Sequence, residues 1–146
     1  MGDTDSQINK KINSSIKSGL KIIFCIGETL NQKKKKKTNQ ILSKQILKGL
    51  FKINNLNKIL IAYEPVWSIG TGAVPRSFEL EKNITFIKKI LKNKFRIKNP
   101  KVLYGGSVNP KNAKNLAAIN NIDGFLIGGA SQKANNFIDI VKKTII

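Results

Sequence analysis

The sequence has a single cysteine, Cys25, and no apolar run that approaches the length needed to cross a bilayer. One cysteine excludes an internal disulfide framework and fits a reducing compartment. A membrane-spanning helix needs roughly 18 apolar residues in succession. The first ten residues, MGDTDSQINK, contain two aspartates and lack the apolar segment of a secretory signal. We therefore expect a cytoplasmic protein with no membrane partner.

Acidic residues and arginines are also scarce. The chain has 8 acidic and 27 basic residues, a net charge of +19, and its only arginines are Arg76 and Arg96. Base readout and bidentate phosphate contacts depend on arginine, whereas the abundant Lys, Asn and Ile are encoded by A/T-rich codons. We expect no specific nucleic-acid partner, and only weak binding at low salt. The run KKKKK at 33–37 is expected to be a solvated loop or a frayed helix start rather than a polyanion contact.

Segments with helical periodicity alternate with short continuous apolar runs. Continuous apolar strands between amphipathic helices indicate a parallel sheet covered by helices, in one α/β domain over residues 1–146. Thr38, Ser77 and Asn109 are candidate N-caps, and Gly19 is a candidate helix stop. The periodicity predicts helices at about 5–18, 38–53, 77–95 and 133–144, with a short one after Pro110. The apolar runs predict four strands, at 21–26, 58–63, 101–105 and 122–128.

The loops that follow the predicted strands carry the residues suited to chemistry. Function gathers at the carboxyl ends of parallel strands, both in open sheets and in closed β/α barrels. No GxGxxG motif follows the first strand, which weakens a dinucleotide-binding interpretation. Two successive loops contain GGS and GGAS before a helix, and glycine lets backbone amides approach an anion. A single Gly-Gly pair after a strand is more often a plain turn, but two such pairs after successive strands favour two loops that bind the same phosphate. The four loops are CIGET at 25–29, YEPVWSIGTG at 63–72, YGGSVNP at 104–110 and IGGAS at 127–131.

Glu64 lies between the second strand and a loop with the composition of a lid. Next to Tyr63, Pro65 and Trp67 its carboxylate would be partly desolvated, and desolvation makes a carboxylate a better general base. A structural ion pair with one of the many lysines is the alternative, and the local residues leave both interpretations open. The segment that follows has an apolar tip between a proline and a Gly-Thr-Gly hinge, as in loops that close over substrates.

Taken together, AYEPVWSIGTG, CIGET, YGGSVNPKNA and DGFLIGGAS resemble, in order and spacing, the second half of the triosephosphate isomerase family. The resemblance covers essentially the whole chain and implies part of a (β/α)8 barrel, namely its last four parallel strands with their flanking helices. It also implies an isomerase of glycolysis and gluconeogenesis that acts on a small phosphorylated triose. The family uses neither a metal nor an organic cofactor, and it forms homodimers.

Matching the motifs to the family implies a role for each site residue. Glu64 matches the catalytic base, and Cys25 and Glu28 match positions near the site. The substrate phosphate is expected to contact Gly70 of the lid, Ser107 of the seventh loop, and Gly128 and Gly129 of the eighth. The lid residues are Pro65, Val66, Trp67, Ser68, Ile69 and Thr71.

The chain departs from the family in what it lacks. It has no histidine, whereas the family's first half supplies a histidine electrophile and an asparagine–lysine pair. Nothing matches the family's dimer loop. We therefore expect a fragment or split-gene product with little activity alone. The alternatives are a non-functional gene remnant and a lysine-rich half-barrel that binds polyanions.

Overall fold

A computed structural model describes residues 2–145 of the chain, in which helices alternate with the strands of one parallel sheet. Short 3-10 turns at Leu56–Lys58, Val66–Ser68 and Gly129–Gln132 join some of the elements. The helices are α1 (Asp5–Lys17), α2 (Leu30–Lys34), α3 (Thr38–Gly49), α4 (Ser77–Phe95), α5 (Ala113–Ala117) and α6 (Ala134–Thr144). The strands are β1 (Ile22–Ile26), β2 (Ile59–Tyr63) and β3 (Val102–Tyr104).

The strands lie in the order β1-β2-β3, and both pairings are parallel. Ile26 pairs with Tyr63, and Tyr63 pairs with Tyr104. Three strand ends are therefore aligned, and the loops that follow them emerge at one edge of the sheet. The partial α/β architecture expected from the sequence is confirmed, and the register brings three of the four chemistry-bearing loops to this edge.

The prediction of a fourth strand at 122–128 is wrong. Phe125 forms one isolated parallel bridge with Tyr104. Three backbone hydrogen bonds support it, the shortest at 2.9 Å from the Leu126 amide to the Tyr104 carbonyl. Asp and Gly are depleted in strands, and within residues 2–145 the outer edge of this segment has no strand beside it. One-sided pairing therefore leaves an extended segment.

Several helix ends differ from the prediction. Gly19 stops α1 as expected, with a left-handed φ of +83°. The helix α3 ends at Gly49 rather than near 53, and a Cβ there would clash with the ring of Phe24. Thr38 and Ser77 are the first helical residues of α3 and α4, so their predicted capping role is wrong. In the lysine run, 33 and 34 end α2, and 35–37 form the turn before α3.

The core lies between the sheet and the helices that cover one of its faces. Its buried cluster joins strand residues such as Phe24 and Ile61 to helix residues such as Ile46 and Ile84. The alternate strand residues Ile23 and Leu60 pair with each other and point away from that core. In the part of the chain that the structure describes, no helix is long and apolar enough to cross a membrane.

Candidate active site at the carboxyl edge of the sheet

Glu64 directly follows β2, and close backbone packing fixes its position. Its amide donates to the Ile26 carbonyl at 2.7 Å, so the end of β1 continues to pair beyond the last strand residue. A Cβ on Gly27 would collide with the Glu64 carbonyl. A Cβ on Gly105 would lie 2.6 Å from Glu64 Cγ and 2.7 Å from its Oε1. Glycines on both neighbouring loops are therefore needed for the half-buried carboxyl side chain to lie across the edge of the sheet.

The group beside this carboxylate is a thiol rather than a cation. Desolvation by the surrounding protein and the nearby charge of Glu64 raise the pKa of Cys25 to about 12. The six ion pairs formed by the described residues do not include Glu64. The alternative of a structural ion pair with a lysine is therefore wrong. A carboxylate without a bound cation is available to accept a proton.

The loop at 65–72 begins with a 3-10 turn that is held from the β1 side. Trp67 Nε1 donates to Glu28 Oε1 at 3.0 Å, and Tyr63 OH donates to Glu28 Oε2 at 3.1 Å. Glu28 is only 1% exposed, so these two donors satisfy a carboxylate that has left water. Burial and the nearby Glu28 charge raise the pKa of Tyr63 well above its ordinary value. The tyrosine therefore stays protonated and remains a donor.

The other side of this loop is held by the loop after β3. Ser107 Oγ donates to the Ser68 carbonyl at 2.6 Å and accepts from the Gly72 amide at 3.0 Å. Ser68 Oγ lies 3.0 Å from Tyr104 OH. Gly106 has no room for a side chain, because a Cβ would meet both Tyr104 and Ser68. Ser107, predicted as a phosphate contact, thus also fastens the predicted lid.

The amides predicted to hold a phosphate stand in the same region. Gly70 and Gly72 have φ of +68° and +78°, which side chains rarely tolerate. The hydrogen bonds found within residues 2–145 leave the amides of Gly70, Gly128 and Gly129 without an acceptor. Gly128 and Gly129 follow the segment that is bridged to β3, and are exposed. Free amides around a sheet edge suit a small anion. Within these residues, no cluster of three or more His, Cys, Asp or Glu could hold a metal ion.

Sequence reasoning missed several polar supports of the site. Gln45 of α3 accepts from the Gly27 amide at 3.0 Å and donates to the Gly27 carbonyl at 3.1 Å. The available signal was a glutamine on an otherwise apolar helical face. Asn83 of α4 donates to Tyr63 OH at 2.8 Å, and Lys33 lies against Trp67. Neither residue stands out from the many other asparagines and lysines of the sequence.

The sequence that carries these loops is similar to known proteins. The profile of the family described as triosephosphate isomerase matches residues 1–144. A triosephosphate isomerase of Thermodesulfovibrio yellowstonii is 47% identical over 142 residues, 96% of this chain and 58% of the relative. One of Geotalea uraniireducens is 42% identical over 97% of the chain, and one of Geobacter metallireducens is 43% identical over 96%. The chain spans 58% of the length of each of these relatives. It belongs to the triosephosphate isomerase family.

Proposed function

We propose that this chain is the C-terminal part of a triosephosphate isomerase and carries the base, the lid and the phosphate contacts of its site. The reaction would interconvert dihydroxyacetone phosphate and glyceraldehyde 3-phosphate. The observation that carries the proposal is the placement of Glu64. Its carboxylate takes part in none of the ion pairs among residues 2–145 and lies across Gly105 at the end of β2, and the loop at 65–72 follows it directly.

The chemistry asked of Glu64 is proton transfer between two adjacent carbons. The carboxylate takes a proton from the carbon next to the carbonyl and returns it to the carbonyl carbon, while the hydroxyl proton passes from one substrate oxygen to the other, so the product is an isomer with the same charge. Gly70, Gly128 and Gly129 offer free amides to the substrate phosphate, and Ser107 lies between the lid and the sheet edge. A lid held over the site would exclude water from the charged intermediate.

No residue of this chain is a candidate for the group that stabilises the charge on the substrate oxygen. The negative charge that develops on the substrate oxygen needs a preorganised donor, and losing one such donor costs about 3–4 kcal/mol, or roughly 100–1,000-fold in rate. The chain has no histidine. The family resemblance implies that the histidine and lysine stand in the share of the relatives that this chain does not cover. We therefore expect the chain alone to be nearly inactive.

Complementation tests the proposal. The chain would be co-produced with the segment of the Thermodesulfovibrio yellowstonii relative that precedes the matched region, and isomerase activity would be assayed on the purified complex. We expect activity in the complex and almost none in either part. Glu64→Gln in the complex should lower kcat by about 10²–10⁴-fold, because the amide cannot accept the proton. The matched control is Glu81→Gln on α4, which removes a carboxylate that takes part in none of the six ion pairs among residues 2–145.

The other outcomes are equally decisive. A soluble, folded complex without activity would overturn the proposal and leave the gene-remnant interpretation. Full activity in the Glu64→Gln complex would show that Glu64 is not the base. Tight binding of the free chain to nucleic acid at physiological salt, together with an inactive complex, would favour a polyanion-binding half-barrel.

A further inference from the structure

The first lysine of the run at 33–37 differs from the four that follow it. Lys33 is partly buried, with 30% of its side chain exposed, whereas 34–37 are exposed. Its Nζ lies 4.1 Å from the centroid of the Trp67 ring and 3.0 Å from Glu79 Oε2. Lys33 therefore joins three parts of the molecule, namely α2, the loop at 65–72 and α4.

The face and the edge of the Trp67 ring are held by different partners. An ammonium over an indole face is attracted by the electron density of the ring, and Lys33 supplies that contact. The edge is held by Glu28, which accepts from Trp67 Nε1. A pocket of about 310 Å³ beside this contact is lined by Trp67, Glu79 and further residues of α4. Solvent ions therefore have access to the ion pair, whereas Glu28, which also lines this pocket, is itself only 1% exposed.

Both supports of Trp67 lead to the same helix. Glu79, the ion-pair partner of Lys33, and Asn83, which donates to Tyr63 OH, are four residues apart in α4 and so lie on one helical face. Because Asn83 occupies the Tyr63 oxygen as a donor, the Tyr63 proton is left to point at Glu28. Two short chains of contacts thus run from α4 to the tryptophan, one through Lys33 and one through Tyr63 and Glu28.

We propose that Lys33 and Asn83 are positioning residues that hold Trp67, and with it the loop at 65–72, in its resting position between α2 and α4. That this loop is a lid rests on the proposed function; that Trp67 is clamped does not. Any movement that carries Trp67 away from β1 must break its contacts with Lys33 and Glu28 together. Weakening either chain of contacts should therefore expose the indole more often.

Trp67 is the only tryptophan in the sequence, so its fluorescence tests the clamp on the free chain without substrate. Acrylamide quenching would be measured for wild type, Lys33→Met, Lys33→Arg and Lys34→Met. We expect a quenching constant about twofold higher in Lys33→Met, which loses the ammonium but keeps a similar length. Lys33→Arg should restore the wild-type value, because a guanidinium can stack on the ring and pair with Glu79. Lys34→Met removes the same charge from the adjacent exposed position and should change nothing.

Asn83→Leu tests the second chain of contacts, with Asn93→Leu on the exposed side of α4 as its control. We expect a smaller rise in quenching than for Lys33→Met, with far-UV circular dichroism unchanged. Added NaCl should raise quenching in wild type but not in Lys33→Met, because only wild type has the exposed ion pair to screen. If Lys33→Met is quenched like Lys34→Met, or Lys33→Arg fails to restore the constant, the clamp is overturned. These outcomes do not depend on whether complementation gives isomerase activity.

Discussion

The two faces of the sheet are equally apolar in sequence but unequally covered. Phe24, Ile61 and Val102 point towards the helices and are at most 4% exposed. Ile23 and Leu60 point the other way from the same strands and are 46% and 38% exposed. Strands that are apolar on both sides belong to sheets covered on both sides, but on the second face Ile23 and Leu60 are exposed and only Ala62, nearer the carboxyl edge, is buried. The helices of this chain therefore cover one face of its sheet fully, whereas the apolar side chains of the opposite face are only partly covered.

The largest expected effect is the loss of a helix-facing core side chain. Ile84 of α4 is fully buried, and Ile84→Ala should cost about 2–5 kcal/mol of the free energy of unfolding because it leaves a cavity. Ile23→Ala removes the same atoms from the open face and should cost less than about 1 kcal/mol. Urea denaturation with matched m-values measures both. Equal losses would remove the distinction between the faces.

The second effect concerns the buried carboxylate at the edge of the sheet. Glu28→Gln replaces an anion that accepts from Tyr63 and Trp67, and hydrogen bonds to charged groups contribute about 1.5–3 kcal/mol. We expect a loss of about 2 kcal/mol and a red shift of Trp67 emission, since the indole gains water. Glu81→Gln, on the partly exposed side of α4, should do neither. A Trp67 spectrum unchanged in Glu28→Gln would contradict this account of the edge.

The third effect depends on pH and tests the segment that replaces the fourth strand. The side chain of Asp123 is 14% exposed, and it contacts Lys88 Nζ at 2.7 Å and the Val102 amide at 2.7 Å. Burial alone would raise its pKa, but Lys88, the Val102 amide and Lys101 outweigh burial and hold the pKa below its ordinary value. Its stabilisation is therefore complete above the unfolded value, near 3.8, and is lost as the pH falls through the lower folded value.

Asp123→Asn should accordingly cost about 1–2 kcal/mol at pH 7. The stabilities of wild type and variant should converge as the pH falls below about 4. Urea denaturation across this range measures the difference. A constant difference at all pH values would mean that the ion pairs with Lys88 and Lys101 contribute nothing.

The smallest effect should come from charging the open face. Leu60→Lys in the free chain should change stability by less than about 0.5 kcal/mol, because the new ammonium remains in water. In the complemented complex the same lysine would be buried without a partner, so association should weaken by at least about tenfold. Urea denaturation of the free chain and titration of the complementing segment measure the two values. Undiminished association would show that the open face is not the surface that the complementing segment covers.

Local patterns in the sequence predicted most of the elements but not all of their partners. Helical periodicity located α1, α3, α4 and α6, because their apolar stripes are repeated over several turns. The prediction of the fourth strand was wrong for a reason that lies outside the segment. Phe125 bridges to Tyr104 on one side, and whether a second neighbour completes the ladder is not encoded in the segment itself.

Residues of the candidate site were predictable where a motif carried them. Glu64 and the glycines stand in loops that follow the strands, and the register brings three of these loops to one edge of the sheet. The roles of these residues stay predictions. Gln45 and Asn83 act across 18 and 20 residues of sequence, by bonding Gly27 and Tyr63. No local pattern records such a pairing. Lys33 had no signal in the sequence, because nothing in a run of five lysines distinguishes the one that has partners in the fold.

The thiol beside Glu64 has a consequence for how unfolding can be observed. Cys25 is exposed, yet a pKa raised to about 12 leaves very little of it as the reactive thiolate at pH 7. Alkylation, oxidation by peroxide and disulfide exchange between chains should therefore be slow in the folded state. Unfolding returns the sulfur to water and separates it from Glu64, so its pKa falls to near 9 and the thiolate fraction rises steeply. The single cysteine thus makes covalent labelling a selective record of the molecules that have opened.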